Sequence, residues 1–231
     1  MINNQNIEKY IRNVLRQSSG ILAQLEENAR NVGVPIMKKE TASFFRVLGD
    51  IARPRSILEI GTAIGYSSIL MSEFLQEGGF IDTIELNETM VDIARKNIRN
   101  ASLQSVINVI AGDAKDVLSC LDKKYDMIFL DGAKGQYIEY LPDCMRLLAE
   151  GGILVSDNVL FKGMIADDSL VVRRKKTIVK RMRGYLDAIC NSEFLDTCIL
   201  PLGDGVAVSY KKHMPNLKNK TGADIDEQAC K

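Results

Sequence analysis

The chain has 231 residues, 46% of them hydrophobic, with thirty basic side chains balancing thirty acidic ones. That is enough apolar material for one buried core without disulfide or metal staples. Zero net charge excludes a bulk attraction to nucleic acid, so any such binding must use a local patch.

Five scattered cysteines, Cys120, Cys144, Cys190, Cys198 and Cys230, include no C-x-x-C pair, which fits reduced thiols in a cytoplasm. The start, MINNQNIEKY, lacks the plan of a signal peptide, and no apolar run approaches the roughly 18 residues a bilayer needs. A soluble cytoplasmic protein with no membrane partner is expected.

Residues 1–53 show helical spacing without strand signals: Ile7, Ile11, Val14 and Leu15 form one stripe, Phe44, Phe45, Leu48 and Ile51 another. From residue 55 short β-rich runs follow one another, SILEIG, FIDTIEL, VINVIAG, DMIFLDG and GGILVSDN, each trailed by an amphipathic segment. Such alternation predicts a Rossmann-like α/β core, a mostly parallel sheet with helices on both faces. VVRRKKTIVKRMRGYLDAI then reads as a basic helix. In CILPLGDGVAVSY two apolar runs meet at Gly203-Asp204-Gly205, a tight-turn signal that adds an antiparallel C-terminal hairpin. The expected organisation is one domain over 1–212, with N-terminal helices over 1–53 and the core over 55–212. The polar, aperiodic segment 213–231 is expected to be a flexible tail.

Open α/β sheets bind ligands beyond the carboxyl ends of their strands, where strand order reverses. In EIGTAIGYSS, Gly61 and Gly65 let the backbone turn sharply. The dinucleotide pattern G-x-G-x-x-G would need glycine where the chain has Ala63 and Tyr66, so nicotinamide cofactors are disfavoured. Glu85 ends the second strand where a carboxylate can accept both hydroxyls of a ribose. Asp113 and Ala114 end the third, where an Asp can take an adenine amino group beside a small residue. Each carboxylate taken alone reads sooner as a helix cap or a solvated strand end. Glu59, Glu85 and Asp113 at three successive strand ends point instead to an adenosine site.

The fourth and fifth strands also run into polar residues: Asp131, with Lys134 three positions on, and Asp157 followed by Asn158. Neighbouring strands would bring Asp131, Asp157 and Asn158 to one rim, a hard oxygen set suited to Mg²⁺ or another divalent ion such as Mn²⁺. Lys134 beside it would serve as a general base.

The cofactor loop, Glu85 and the GDA triplet resemble class I S-adenosylmethionine-dependent methyltransferases. D-x-x-K followed by D-N resembles, more narrowly, the metal-dependent catechol and caffeoyl-CoA O-methyltransferase family, over about residues 34–210. The resemblance implies Asp131, Asp157 and Asn158 as metal ligands, Lys134 as base, and Met37, Glu59, Gly61, Ser67, Glu85 and Ala114 as cofactor contacts, with Asp131 also close to the methionine moiety. Ala133 and Lys162 depart from the plant caffeoyl-CoA pattern and argue against a CoA ester. DNVLFKG, RRKKTIVKRMR and LPLGDGVAVSYKK are similar to the bacterial branch that methylates 5-hydroxyuridine at the wobble position of tRNA. That implies tRNA as partner, with a small catechol-like molecule as the alternative substrate. The base's 5-hydroxyl and 4-carbonyl oxygens would play the part of a catechol's. Arg173, Arg174 and their basic neighbours would take phosphates, although a charged run by itself reads as a solvated helix face. Phe161 reads equally as a stacking ring or as part of a lid packed on the core, and relatives' habits imply a homodimer.

Overall fold

The structure, a computed structural model, describes residues 4–213. Three helices open the chain: α1 (Gln5–Val14), α2 (Gly20–Val32) and α3 (Lys39–Ala52). The alternating part follows as β1 (Ser56–Ile60), α4 (Tyr66–Met71), β2 (Phe80–Glu85), α5 (Glu88–Asn100), β3 (Ile107–Ala111), α6 (Ala114–Cys120), β4 (Tyr125–Leu130), α7 (Tyr137–Leu147) and β5 (Leu148–Asp157). Helix α8 (Lys176–Cys190) and the hairpin β6 (Leu195–Leu200) and β7 (Val206–Lys211) close it. The sheet runs β3-β2-β1-β4-β5-β7-β6. Strands β1 to β5 pair in parallel, and β7 is antiparallel to both β5 and β6. This is the Rossmann-like, mostly parallel sheet with an antiparallel C-terminal hairpin that the run pattern predicts.

Successive strand residues point to opposite faces, and because both faces are covered the strands carry apolar residues toward each. Ile57, Ile81, Met127, Phe129 and Val155 meet the layer containing Leu25, Phe45, Ile69 and Val91. Leu58, Ile60, Ile128, Leu130 and Leu154 meet Leu118, Tyr140, Leu147, Met182 and Tyr185 on the other side. Chain order reverses between β1 and β4, so their carboxyl ends flank a crevice.

The N-terminal helices differ from their expected faces. Ile7 and Val14 are 57% and 62% exposed, whereas Glu8 of the same helix is buried. An ionic contact decides this. Arg12 reaches Glu40 of α3 through Nε (2.7 Å) and Nη2 (2.6 Å) and also meets Glu8, while Lys39 Nζ donates to the carbonyls of Arg12 and Leu15. Helix α1 is thus seated by charge, with Ile7 and Val14 of its apolar stripe outward and Ile11 and Leu15 half-buried. Helix α3 buries Thr41, Ala42, Phe45 and Gly49 and leaves Ile51 76% exposed; the Phe74 ring fits against Gly49, where a Cβ would lie 2.2 Å from it. No stripe was read for α2, although it contributes Leu22, Leu25 and Ala29 to the core.

Among the described residues no helix is long and apolar enough to cross a membrane. Of the expected tail, His213 is described, and 214–231 lie outside the described residues.

Candidate active site

A cavity of about 550 Å³ opens at the β1/β4 switch point, walled by the loops after β1 to β5 and by the start of α3. The loop after β1 crosses directly over the end of β4. A Cβ on Gly61 would stand 2.5 Å from the carbonyl oxygen of Asp131, and Gly61 sits at φ 105°, so only glycine fits both the space and the backbone. Asp131 N–H donates to Ile60 O at 2.9 Å, and Gly61 N–H to Ile84 O at 2.9 Å, which stitches three strand tips together.

The cofactor candidates divide by position. Met37, Gly61, Ser67, Glu85, Asp113 and Ala114 all face the cavity. Glu59 does not: it is fully buried behind the loop, where its carboxylate accepts from Ser67, Ser68 and Thr83, the last at 2.6 Å. Burial raises its pKa, and the three hydroxyl donors oppose the rise. Its place is that of a buried post under Ser67 rather than a wall residue. Glu85 accepts backbone N–H groups of Ala63 and Asn87, both at 2.9 Å, which fixes its carboxylate toward the cavity. Asp113 caps α6 by accepting from Lys115 N–H at 2.8 Å while also lining the cavity, so capping and ligand reading coexist.

Asp131, Asp157 and Asn158 converge on the opposite wall. Asn158 Nδ2 donates to Asp131 Oδ1 at 3.0 Å, and Asp157 Oδ1 accepts from Asn158 N–H at 2.6 Å. Burial, then the charge of Asp157, raises the Asp131 pKa, partly offset by Lys134. Asp157 is pushed up to about 6 by burial, again opposed by the Asn158 N–H and by Lys134. The half-buried Asp131 and the buried Asp157 repel each other and each accepts a different N–H of Asn158, a donor set that a hard cation would relieve, so the residues fit a divalent ion. Among the described residues no group of three or more His, Cys, Asp and Glu side chains forms a metal cluster, so the set would rest on two carboxylates and an amide. Lys134 lies on the same wall and makes no ion pair or side-chain hydrogen bond among the described residues.

A family model described as O-methyltransferase matches residues 13–212. The chain belongs to the O-methyltransferase family. A catechol O-methyltransferase of Niastella koreensis is 31% identical over 177 residues, covering 73% of this chain and 80% of that protein. Among solved structures, an O-methyltransferase from Bacillus cereus in complex with SAH is 27% identical at a TM-score of 0.79, covering 90% of this chain and 97% of that one. A candidate caffeoyl-CoA O-methyltransferase from Staphylococcus aureus is 33% identical at a TM-score of 0.82, covering 90% and 100%.

The acceptor side of this O-methyltransferase differs from its sequence reading in two ways. Phe161 is 8% exposed and packs with Met164 and Val179, while Lys175 Nζ stands 5.7 Å from its ring centroid; it does not line the cavity. Lys162, Arg173 and Arg174 are exposed and also lie off the cavity wall. Conversely Lys38, Thr41 and Asp204 do line it. Lys38 adjoins Met37 in the sequence, whereas local pattern marks Asp204 only as part of a turn. Tyr137 was also missed. Fully buried, its hydroxyl lies 3.1 Å from Leu130 O and 3.2 Å from Asp157 O, which ties the tips of β4 and β5. Only its place three residues after Lys134 hinted at that.

Proposed function

We propose that the protein transfers a methyl group from S-adenosylmethionine to a hydroxyl that has a second oxygen beside it, with a divalent metal at Asp131, Asp157 and Asn158. The observation that carries this reading is the pair of mutually repelling carboxylates at the β4 and β5 tips, Asp131 half-buried and Asp157 buried, facing the same cavity as Glu85. The SAH bound to the Bacillus cereus structure supports the donor. Glu85 would accept from the ribose hydroxyls, with Asp113 and Ala114 beside the adenine. A divalent ion such as Mg²⁺ or Mn²⁺ would supply Lewis acidity toward two adjacent oxygens. Lys134 is placed to take the proton of the acceptor hydroxyl as general base. The new O–CH₃ bond forms as the S–CH₃ bond breaks, and the leaving group is a neutral thioether. Little else is required beyond alignment of oxygen, methyl and sulfur.

For the acceptor we propose 5-hydroxyuridine of a tRNA anticodon, yielding 5-methoxyuridine. Helix α8 lies against the turn that carries Lys134, with Arg181 Nη1 donating to Gly135 O at 3.1 Å. Two of its cations are used internally, Arg181 with Glu139 (2.9 Å) and Arg183 with Asp168 (2.7 Å). The exposed side chains of Arg173, Arg174, Lys176 and Lys180 have no such partner among the described residues, which leaves them for phosphates. The second reading, a small catechol, is favoured by the Niastella koreensis relative's name. The outward stripe of Ile7, Tyr10 and Val14 supports a homodimer that covers it. Mass spectrometry of tRNA nucleosides from a deletion strain tests the acceptor. Loss of 5-methoxyuridine with gain of 5-hydroxyuridine is expected, and unchanged nucleosides would return the small catechol to first place.

A further inference from the structure

The segment that carries Asn158 is held in a conformation its own residues resist. Asn158, Phe161 and Lys162 sit at φ 60°, 42° and 58°, in the left-handed region. Asparagine tolerates that region, but each ordinary L-residue there costs of order 1 kcal/mol. Something outside the segment must hold it. Of the five backbone N–H groups from Val159 to Gly163, two close local turns, onto Asn158 O and Leu160 O. The other three cross to the β6–β7 turn: Val159 to Gly205 O (2.9 Å), Leu160 to Asp204 O (3.0 Å) and Lys162 to Asp204 Oδ1 (2.6 Å). The last is the only one of the three that depends on a side chain. The two segments are in intimate contact, since a Cβ on Gly205 would fall 2.4 Å from Leu160 Cγ.

From this geometry we infer that Asp204 is a positioning residue for the acceptor half of the site: by accepting the Lys162 N–H it holds the left-handed residues of the 158–163 segment in place and so aims Asn158 at Asp131. Its carboxylate also lines the cavity, and its charge reaches Asp157. The role rests on the metal reading above but is separate from ligation, because what it requires is an acceptor oxygen at this place and not a negative charge.

The test is Mn²⁺ binding to the full-length protein, followed by calorimetry without turnover, with SAH affinity measured alongside. Asp204→Ala should weaken Mn²⁺ by about tenfold, the upper end of what loss of one ordinary hydrogen bond gives, and leave SAH binding unchanged. Asp204→Asn keeps an acceptor oxygen and should stay within about threefold of wild type. Lys162→Gly added to Asp204→Ala should recover most of the loss, because glycine takes a positive φ freely. This double variant carries the test if Asp204→Ala alone fails to fold. The inference is overturned if Asp204→Ala binds Mn²⁺ like wild type, if Asp204→Asn is as weak as Asp204→Ala, or if Lys162→Gly rescues nothing. An Asp157→Ala control separates the readings. If it too leaves Mn²⁺ binding intact, the metal site itself is wrong; if it abolishes binding while Asp204→Ala does not, only the role of Asp204 falls.

Discussion

The two halves of the cavity are built on different principles. Around β1 to β3 the polar groups are already answered by the protein: Glu85 accepts two backbone N–H groups, Asp113 caps a helix and Glu59 is ringed by hydroxyls. Around β4 and β5 the two carboxylates are answered by the N–H groups of a single residue, Asn158. Two carboxylates oppose each other, Lys134 stands unpaired, and the following segment is held left-handed from outside. A pocket for a constant ligand can be finished before that ligand arrives. A site that must generate an oxyanion keeps charge in reserve, at some cost to the empty fold.

That contrast is open to attack, and the largest effect should come from Lys134. Lys134→Ala should lower kcat by roughly 10²–10⁴-fold, the range expected for a lost general base, with SAH affinity unchanged by calorimetry. An equal loss of SAH binding would mean the halves are not separate. Glu85→Ala should do the reverse, weakening SAH by about ten- to a hundredfold while turnover at saturating donor stays near wild type. Unchanged affinity would remove Glu85 from the cofactor half.

The smallest effect sharpens the claim about stored charge. The Asp157 pKa in the folded protein is raised to about 6, against roughly 3.9 in an unfolded chain. A raised folded value contributes stability that is complete below the unfolded pKa and is lost as pH rises through the folded one. Metal-free protein should therefore lose stability between about pH 4 and 6 relative to Asp157→Asn, whose amide cannot ionise. The variant's Tm at pH 7 should stand several degrees higher, the direction expected for a folded pKa raised from roughly 3.9 to about 6. Parallel Tm profiles across that pH range would show that Asp157 carries no strain.

Some of this was legible without a structure because it is written locally. An apolar run that ends on a carboxylate marks where a strand leaves the core, so Glu85, Asp113, Asp131 and Asp157 could be set at strand tips from SILEIG-like runs alone. Helix faces were less legible. Helix α1 has an apolar stripe, yet Arg12 and Glu40, 28 residues apart, turn Glu8 inward instead. Phe161 was undecided between ring stacking and lid, and its contacts with Met164 and Val179 settle its position as packed.

By itself the sequence determined the succession of strands and helices, the hairpin at Gly203-Asp204-Gly205, and which side chains stand at strand ends, since spacing and turn chemistry act over a few residues. Tertiary structure alone decided that Glu59 lies behind the cavity wall, that Lys38 lies on it, and that Asp204 reaches across 42 positions to brace Lys162. Those placements depend on which strand pairs with which and on how closely two loops can approach. No local pattern encodes them, because their energies come from contacts between distant segments that exist only once the sheet has assembled.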